Sequence, residues 1–68
     1  MKKIRILGIS AFFHDSSVTL LENGKILYAS QEERFTRVKH DSSFPSHALR
    51  NLLKVNNLDI KKIGFIVF

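Results

Sequence analysis

His14, Asp15, Ser16 and Ser17 follow two phenylalanines without interruption in ISAFFHDSSV, residues 9–18. An imidazole with an ordinary pKa near 6.5 gives or takes a proton around neutrality. Hydroxyl and backbone N–H groups at a strand end donate to ligands, and Asp15 is placed to orient the ring or cap the turn. This pattern fits the lip of a reactive site. On these residues alone an ordinary polar turn is the stronger reading, because Asp and Ser are favoured turn residues and a single histidine specifies little.

A second group lies in QEERFTRVKH, residues 31–40. Arg34, Arg37, Lys39 and His40 are the residue types that hold a phosphate or carboxylate, Arg through its planar fork and Lys as a point charge. Glu32 and Glu33 stand where they could tether those cations. The alternative is a solvated charged loop, the usual fate of such a run. His14, His40, His47, Asp15 and Asp41 are metal-ligand types, but no pair among them has the spacing of a known ligand set, so no metal site is expected in this segment. The six phenylalanines do not interleave with the basic residues and read as core and loop anchors rather than stacking platforms.

These residues need elements to position them. Residues 4–10, IRILGIS, alternate and then become apolar, the pattern of a strand entering a core. Residues 18–22 and 25–30 flank Asn23-Gly24, the preferred filling of a two-residue type I′ hairpin. That turn sets Glu22 opposite Lys25, Leu21 opposite Ile26, Leu20 opposite Leu27 and Thr19 opposite Tyr28. Phe44-Pro45 opens a helix with Pro45 at the first helical position. Ala48, Leu49, Leu52, Leu53 and Val55 form its apolar stripe, and Asn56-Asn57 ends it. The closing IGFIVF has the pattern of a parallel strand covered on both faces. A chain that stops inside such a strand reads as a fragment of a longer protein.

The expected class is α/β in the chain order β-β-β-α-β, an antiparallel hairpin plus a parallel fourth strand beside the first. This is the opening half of a ribonuclease-H-like, actin-like subdomain. The 68 residues make at most one domain, and a chain of this size buries only about 60% of its unfolded surface. Without cysteine, neither disulfide nor thiolate metal site reinforces so small a core, and a cytoplasmic setting is the simple reading. No membrane segment or targeting signal is expected, since no apolar run approaches the roughly 18 residues of a spanning helix. The net charge of +5 would suit a nucleic acid, but the basic residues are spread and no binding motif accompanies them, so no nucleic-acid partner is expected.

In combination, ILGIS, FHDSS, the Asn-Gly hairpin and QEERFTRVKHDSSFP before a helix resemble the N-terminus of the O-carbamoyltransferases of the nodulation-protein and antibiotic-tailoring type. The resemblance spans essentially the whole chain. It implies that residues 1–68 open an actin-like carbamoyl-transfer domain, whose remainder lies beyond the chain together with a separate adenylate-forming domain. Such enzymes move a carbamoyl group from carbamoyl phosphate, with ATP and through carbamoyl adenylate, to a hydroxyl of a sugar or other small molecule.

Carried over by residue, the resemblance makes His14 the general base for the acceptor hydroxyl and sets Lys39 on the anionic donor with Arg37 as helper. Asp15, Arg34 and His40 are placed as supports. Iron, where family members bind it, is held by residues outside this chain. Phe12 and Phe13 stand where some antibiotic-acting members carry an acidic residue, which favours a neutral sugar or polyol over an amine-rich acceptor. Two other readings remain: a phosphate-binding subdomain of an actin-like ATPase or sugar kinase, and a non-catalytic interaction module. The segment alone is expected to be inactive and to self-associate through IGFIVF.

Overall fold

The computed structural model describes residues 4–12 and 15–68. Three consecutive strands, β1 (Arg5–Ser10), β2 (Ser17–Glu22) and β3 (Lys25–Gln31), pair antiparallel, with Leu7 opposite Leu20 and Ile9 opposite Val18. Asn23 and Gly24 take φ of 51° and 85°, the positive values that a type I′ turn requires. Asn23 also fastens the start of β1: its N–H donates to the Ile4 carbonyl and its Oδ1 accepts from the Ile4 N–H, both at 2.9 Å. β4 (Phe65–Val67) lies parallel to β1, and the sheet runs β3-β2-β1-β4. The chain is therefore α/β with a four-stranded mixed sheet.

The hairpin register departs from the simple expectation. Glu22 faces Lys25 and Leu21 faces Ile26, but Leu20 faces Tyr28 and Thr19 faces Ala29, with the irregularity between Leu20 and Leu21. Leu27 is the extra residue of a β-bulge. Because side chains alternate across a strand, that single insertion reverses the faces of every later residue of β3. Tyr28 and Ser30 join the face of Leu20 and Val18, where the Tyr28 hydroxyl accepts from Asn51 Nδ2 at 2.7 Å. Ala29 and Gln31 go to the opposite face with Thr19 and Ser17.

α1 (Glu33–Thr36) is a single helical turn, in part of the stretch where a charged loop was the alternative. Phe35 packs against the core, and Arg37, at φ 63°, ends the turn by donating its N–H to the Glu33 carbonyl at 2.8 Å. α2 (Ser46–Val55) begins one residue later than expected, with Pro45 as its N-cap. Ala48 and Leu52 are buried and Leu49 and Leu53 partly so, whereas Val55, at the helix's last position, is exposed. Asn56 and Asn57 end the helix as expected; Asn57 has φ 51°.

Leu7, Ile9, Val18, Leu20, Ala48, Leu52 and Ile63 form the buried core between one face of the sheet and α2. Each such Leu or Val contributes roughly 1.5–3 kcal/mol through burial. β4 does not have the two-sided cover that its sequence predicts: Phe65, Ile66 and Val67 are 60%, 51% and 56% exposed. Among the described residues, no helix is long and apolar enough to cross a membrane.

Candidate anion-binding site

A pocket of about 940 Å³ opens on the sheet face away from α2. Residues 17–19 of β2 and 29–31 of β3 line it; by alternation Ser17, Thr19, Ala29 and Gln31 share this face, while Val18 and Ser30 are buried. The Leu27 bulge thus determines which β3 side chains meet the pocket. Without it, Tyr28 and Ser30 would face this side. Arg34 from α1, with Arg37 and Lys39 from the segment that follows, completes the wall.

Among the described residues, none forms an ion pair with Arg34, Arg37 or Lys39. Three cations without an ion-pair partner among the described residues, beside the hydroxyls of Ser17 and Thr19, are the groups that could hold an anion with several oxygen acceptors. The tether expected from Glu32 and Glu33 is absent. Glu33 also lines the pocket, but its Oε2 accepts the His40 N–H at 2.9 Å.

Glu32 is 1% exposed and serves the fold instead. Its Oε1 accepts from the Ala48 N–H at 2.8 Å, while Oε2 accepts from the His47 N–H at 3.2 Å and contacts His47 Nδ1 at 2.7 Å. Pro45 has no side-chain acceptor, so a carboxylate from between β3 and α1 caps α2 across space, where the helix dipole also favours negative charge. Burial by itself would raise the Glu32 pKa. The hydrogen bonds from Ala48 and His47, with the nearby His47 charge, outweigh it and hold the carboxyl below its ordinary range.

Two loops meet at the pocket's edge. The Phe12 N–H donates to the Ser42 carbonyl at 2.6 Å, the Ser16 N–H to the Asp41 carbonyl at 2.8 Å, and Ser16 Oγ to the Ser43 carbonyl. Asp15 Oδ1 lies 2.8 Å from His40 Nδ1. The second loop is braced by Asp41, which accepts from Ser43 N and Oγ at 2.9 and 2.6 Å and from Thr36 Oγ1 at 2.7 Å. The Ser43 and Thr36 bonds lower the Asp41 pKa. Phe12, Arg37 and His40 all have positive φ, a conformation that costs a non-glycine residue about 1–2 kcal/mol. The Phe12 N–H is held by the Ser42 carbonyl, and the N–H groups of Arg37 and His40 by the Glu33 carbonyl and carboxylate, so hydrogen bonds sustain these sparsely populated backbone states.

Of the residues singled out in the sequence, Arg37, Lys39 and Arg34 share the pocket, and Asp15 and His40 meet beside it. His14 lies outside the described residues. The fold also brings donor atoms of Asp15, Glu33 and His40 within 4.8 Å of one another, a group that chain spacing did not reveal. In this arrangement Asp15 and Glu33 are already engaged by His40, through its ring and its N–H respectively. Phe12 and Phe44 have ring centroids 6.4 Å apart and Phe44 and Phe68 6.3 Å apart, but all three rings are exposed, and among the described phenylalanines it is Phe35 that packs against the core.

The α/β segment thus gathers two arginines and a lysine, without ion-pair partners among the described residues, on one face of the β2–β3 hairpin. Residues 5–68 match the family model for the carbamoyltransferase N-terminus, and the chain belongs to that family. It is 49% identical over 63 residues to the uncharacterized protein sll1178 of Synechocystis sp., covering 93% of this chain and 10% of that protein. Over 59 residues it is 27% identical to the nodulation protein NolNO of Sinorhizobium fredii, covering 87% of this chain and 9% of that relative. An uncharacterized protein of Methanocaldococcus jannaschii is 35% identical over 57 residues, 82% of this chain and 9% of its own length. The chain spans about a tenth of the length of these curated relatives.

Proposed function

We propose that this segment opens an actin-like carbamoyl-transfer domain of an O-carbamoyltransferase, in which the Arg34–Arg37–Lys39 pocket receives the anionic end of the carbamoyl donor. The observation that carries the reading is the pocket itself: cations without ion-pair partners among the described residues, in a member of the carbamoyltransferase N-terminus family. The donor is carbamoyl adenylate, made from carbamoyl phosphate and ATP by another part of the full-length protein. The acceptor is a hydroxyl of a neutral sugar or polyol.

In the transfer step the acceptor oxygen attacks the carbamoyl carbon, the bond from that carbon to the adenylate phosphate oxygen breaks, and AMP departs. The hydroxyl proton passes to the His14 imidazole. A general base so placed contributes roughly 10²–10⁴ in rate. Arg37 and Lys39 neutralise the phosphate as it gains charge on leaving, an interaction that strengthens toward the transition state.

The cationic pocket also suits the phosphates of an actin-like ATPase or sugar kinase. Against that reading, the residues from Ser10 to Ser17 contain no glycine, which such phosphate loops use for close backbone approach. Full-length protein is incubated with a hydroxyl acceptor and either ATP alone or ATP plus carbamoyl phosphate. Carbamoylated product that forms only with both donors supports the proposal. Phosphoryl transfer from ATP alone contradicts it.

A further inference from the structure

We propose that Asp15 and His40 are a positioning pair for carbamoyl transfer, locking the loop that carries His14 in sequence to the loop that carries Lys39. This inference rests on the transfer function proposed above. Asp15 follows His14 in the chain and His40 follows Lys39, so their contact at 2.8 Å joins the immediate neighbours of the general base and the donor-binding lysine. The Phe12–Ser42 and Ser16–Asp41 backbone bonds fix the flanks of the same junction. Ser16 Oγ also donates to the Ser43 carbonyl there, and Asp15–His40 is a contact between two side chains across the same junction.

His40 is itself held from a second direction. Its N–H donates to Glu33 Oε2 at 2.9 Å, so Asp15, His40 and Glu33 connect the first loop, the second loop and α1, which also carries Arg34. A carboxylate accepts, so the imidazole proton that meets Asp15 sits on Nδ1, and the bond orients the ring. At φ 56°, His40 also turns the chain immediately after Lys39. A shift of either loop moves Lys39 relative to Ser17 and Thr19 across the pocket, and misplacement of about 1 Å costs up to about a hundredfold in rate.

Charge alone and positioning predict opposite signs for one substitution. The Asp15 carboxylate lies within 4.8 Å of that of Glu33, which lines the cationic pocket. If Asp15 acted only through its negative charge, Asp15→Ala would strengthen binding of an anionic donor. If it positions Lys39 through His40, Asp15→Ala weakens that binding and slows transfer.

The test uses full-length protein as wild type, Asp15→Ala, His40→Ala, the double variant and His40→Asn, with labelled carbamoyl phosphate, ATP, and glycerol and D-glucose as hydroxyl probes. Asn tolerates the left-handed conformation and offers an N–H toward Asp15, so it separates loss of the bond from failure to fold. Each alanine variant is expected to lower transfer kcat about ten- to a hundredfold. The double variant should be no slower than the slower single, and His40→Asn should regain most of the rate. Carbamoyl adenylate formation should not change, and Asp15→Ala should raise the KM for carbamoyl adenylate, added as such, in the transfer step.

Independent, multiplying losses in the two singles would overturn the pairing, as would a fall in KM with Asp15→Ala or wild-type kinetics in both. Transfer lost equally in His40→Asn and His40→Ala would also overturn it. No transfer by wild-type protein to either probe would remove the proposed function, and this inference with it.

Discussion

Glu32, between β3 and α1, accepts the backbone N–H of Ala48 in the first turn of α2 at 2.8 Å. The carboxylate also engages His47 and is almost wholly buried, so a residue from a charged run closes the helix that covers the core. Glu32→Ala leaves buried N–H groups without acceptors and should destabilise this unit by about 2–4 kcal/mol. Hydrogen exchange over residues 46–55 should show first-turn protection falling before that of the last turn.

The same carboxylate makes the unit acid-sensitive. Its folded pKa lies below the ordinary value, so its contribution is fully present above the unfolded carboxylate pKa of about 4.3 and is lost as pH falls through the lower, folded value. Urea unfolding of wild type and Glu32→Gln over this acid range should converge as pH falls, because Gln keeps an acceptor but does not titrate. A constant difference between the two would assign the acid sensitivity elsewhere.

Arg37 separates backbone strain from charge. At φ 63° it occupies a conformation that glycine adopts freely, so Arg37→Gly should not lower thermal stability although it removes a pocket cation. Its kcat/KM for the carbamoyl donor should fall about ten- to a hundredfold, the range for loss of a charged hydrogen bond, with kcat sharing in the loss. Lys39→Ala should act in the same direction, which steady-state kinetics on both variants will measure.

The exposed β4 predicts the behaviour of the segment by itself. Phe65, Ile66 and Val67 offer an apolar strand beside β1 whose outer edge is unpaired among the described residues. The isolated 68-residue polypeptide should self-associate in light scattering, and Ile66→Lys should shift it toward monomer. A clean monomer at high concentration in the unsubstituted segment would contradict this.

Local chemistry made part of this structure legible. Asn23-Gly24 specifies its turn through the positive φ that both residues tolerate, and apolar spacing locates α2. The Leu27 bulge was not legible, because its face reversal is favoured by contacts far along the chain, such as that of Tyr28 with Asn51. Glu32 read as a tether for cations, since nothing near it in sequence marks a cap for a helix that starts beyond Pro45. The missing local cap at Pro45 was the available signal. Arg37 and Lys39 stood out by type, but their sharing of a pocket with Ser17 and Thr19 depends on the β2–β3 pairing. The Asp15–Glu33–His40 meeting likewise arises from loop pairing rather than chain spacing.

The most direct measurement of the central claim is a comparison of full-length wild type and His14→Asn in the two half-reactions, with carbamoyl adenylate followed by mass spectrometry and product by label transfer to the hydroxyl acceptor. The account predicts that His14→Asn forms carbamoyl adenylate as wild type does while transfer falls by about 10²–10⁴. Transfer at the wild-type rate in that variant would contradict it.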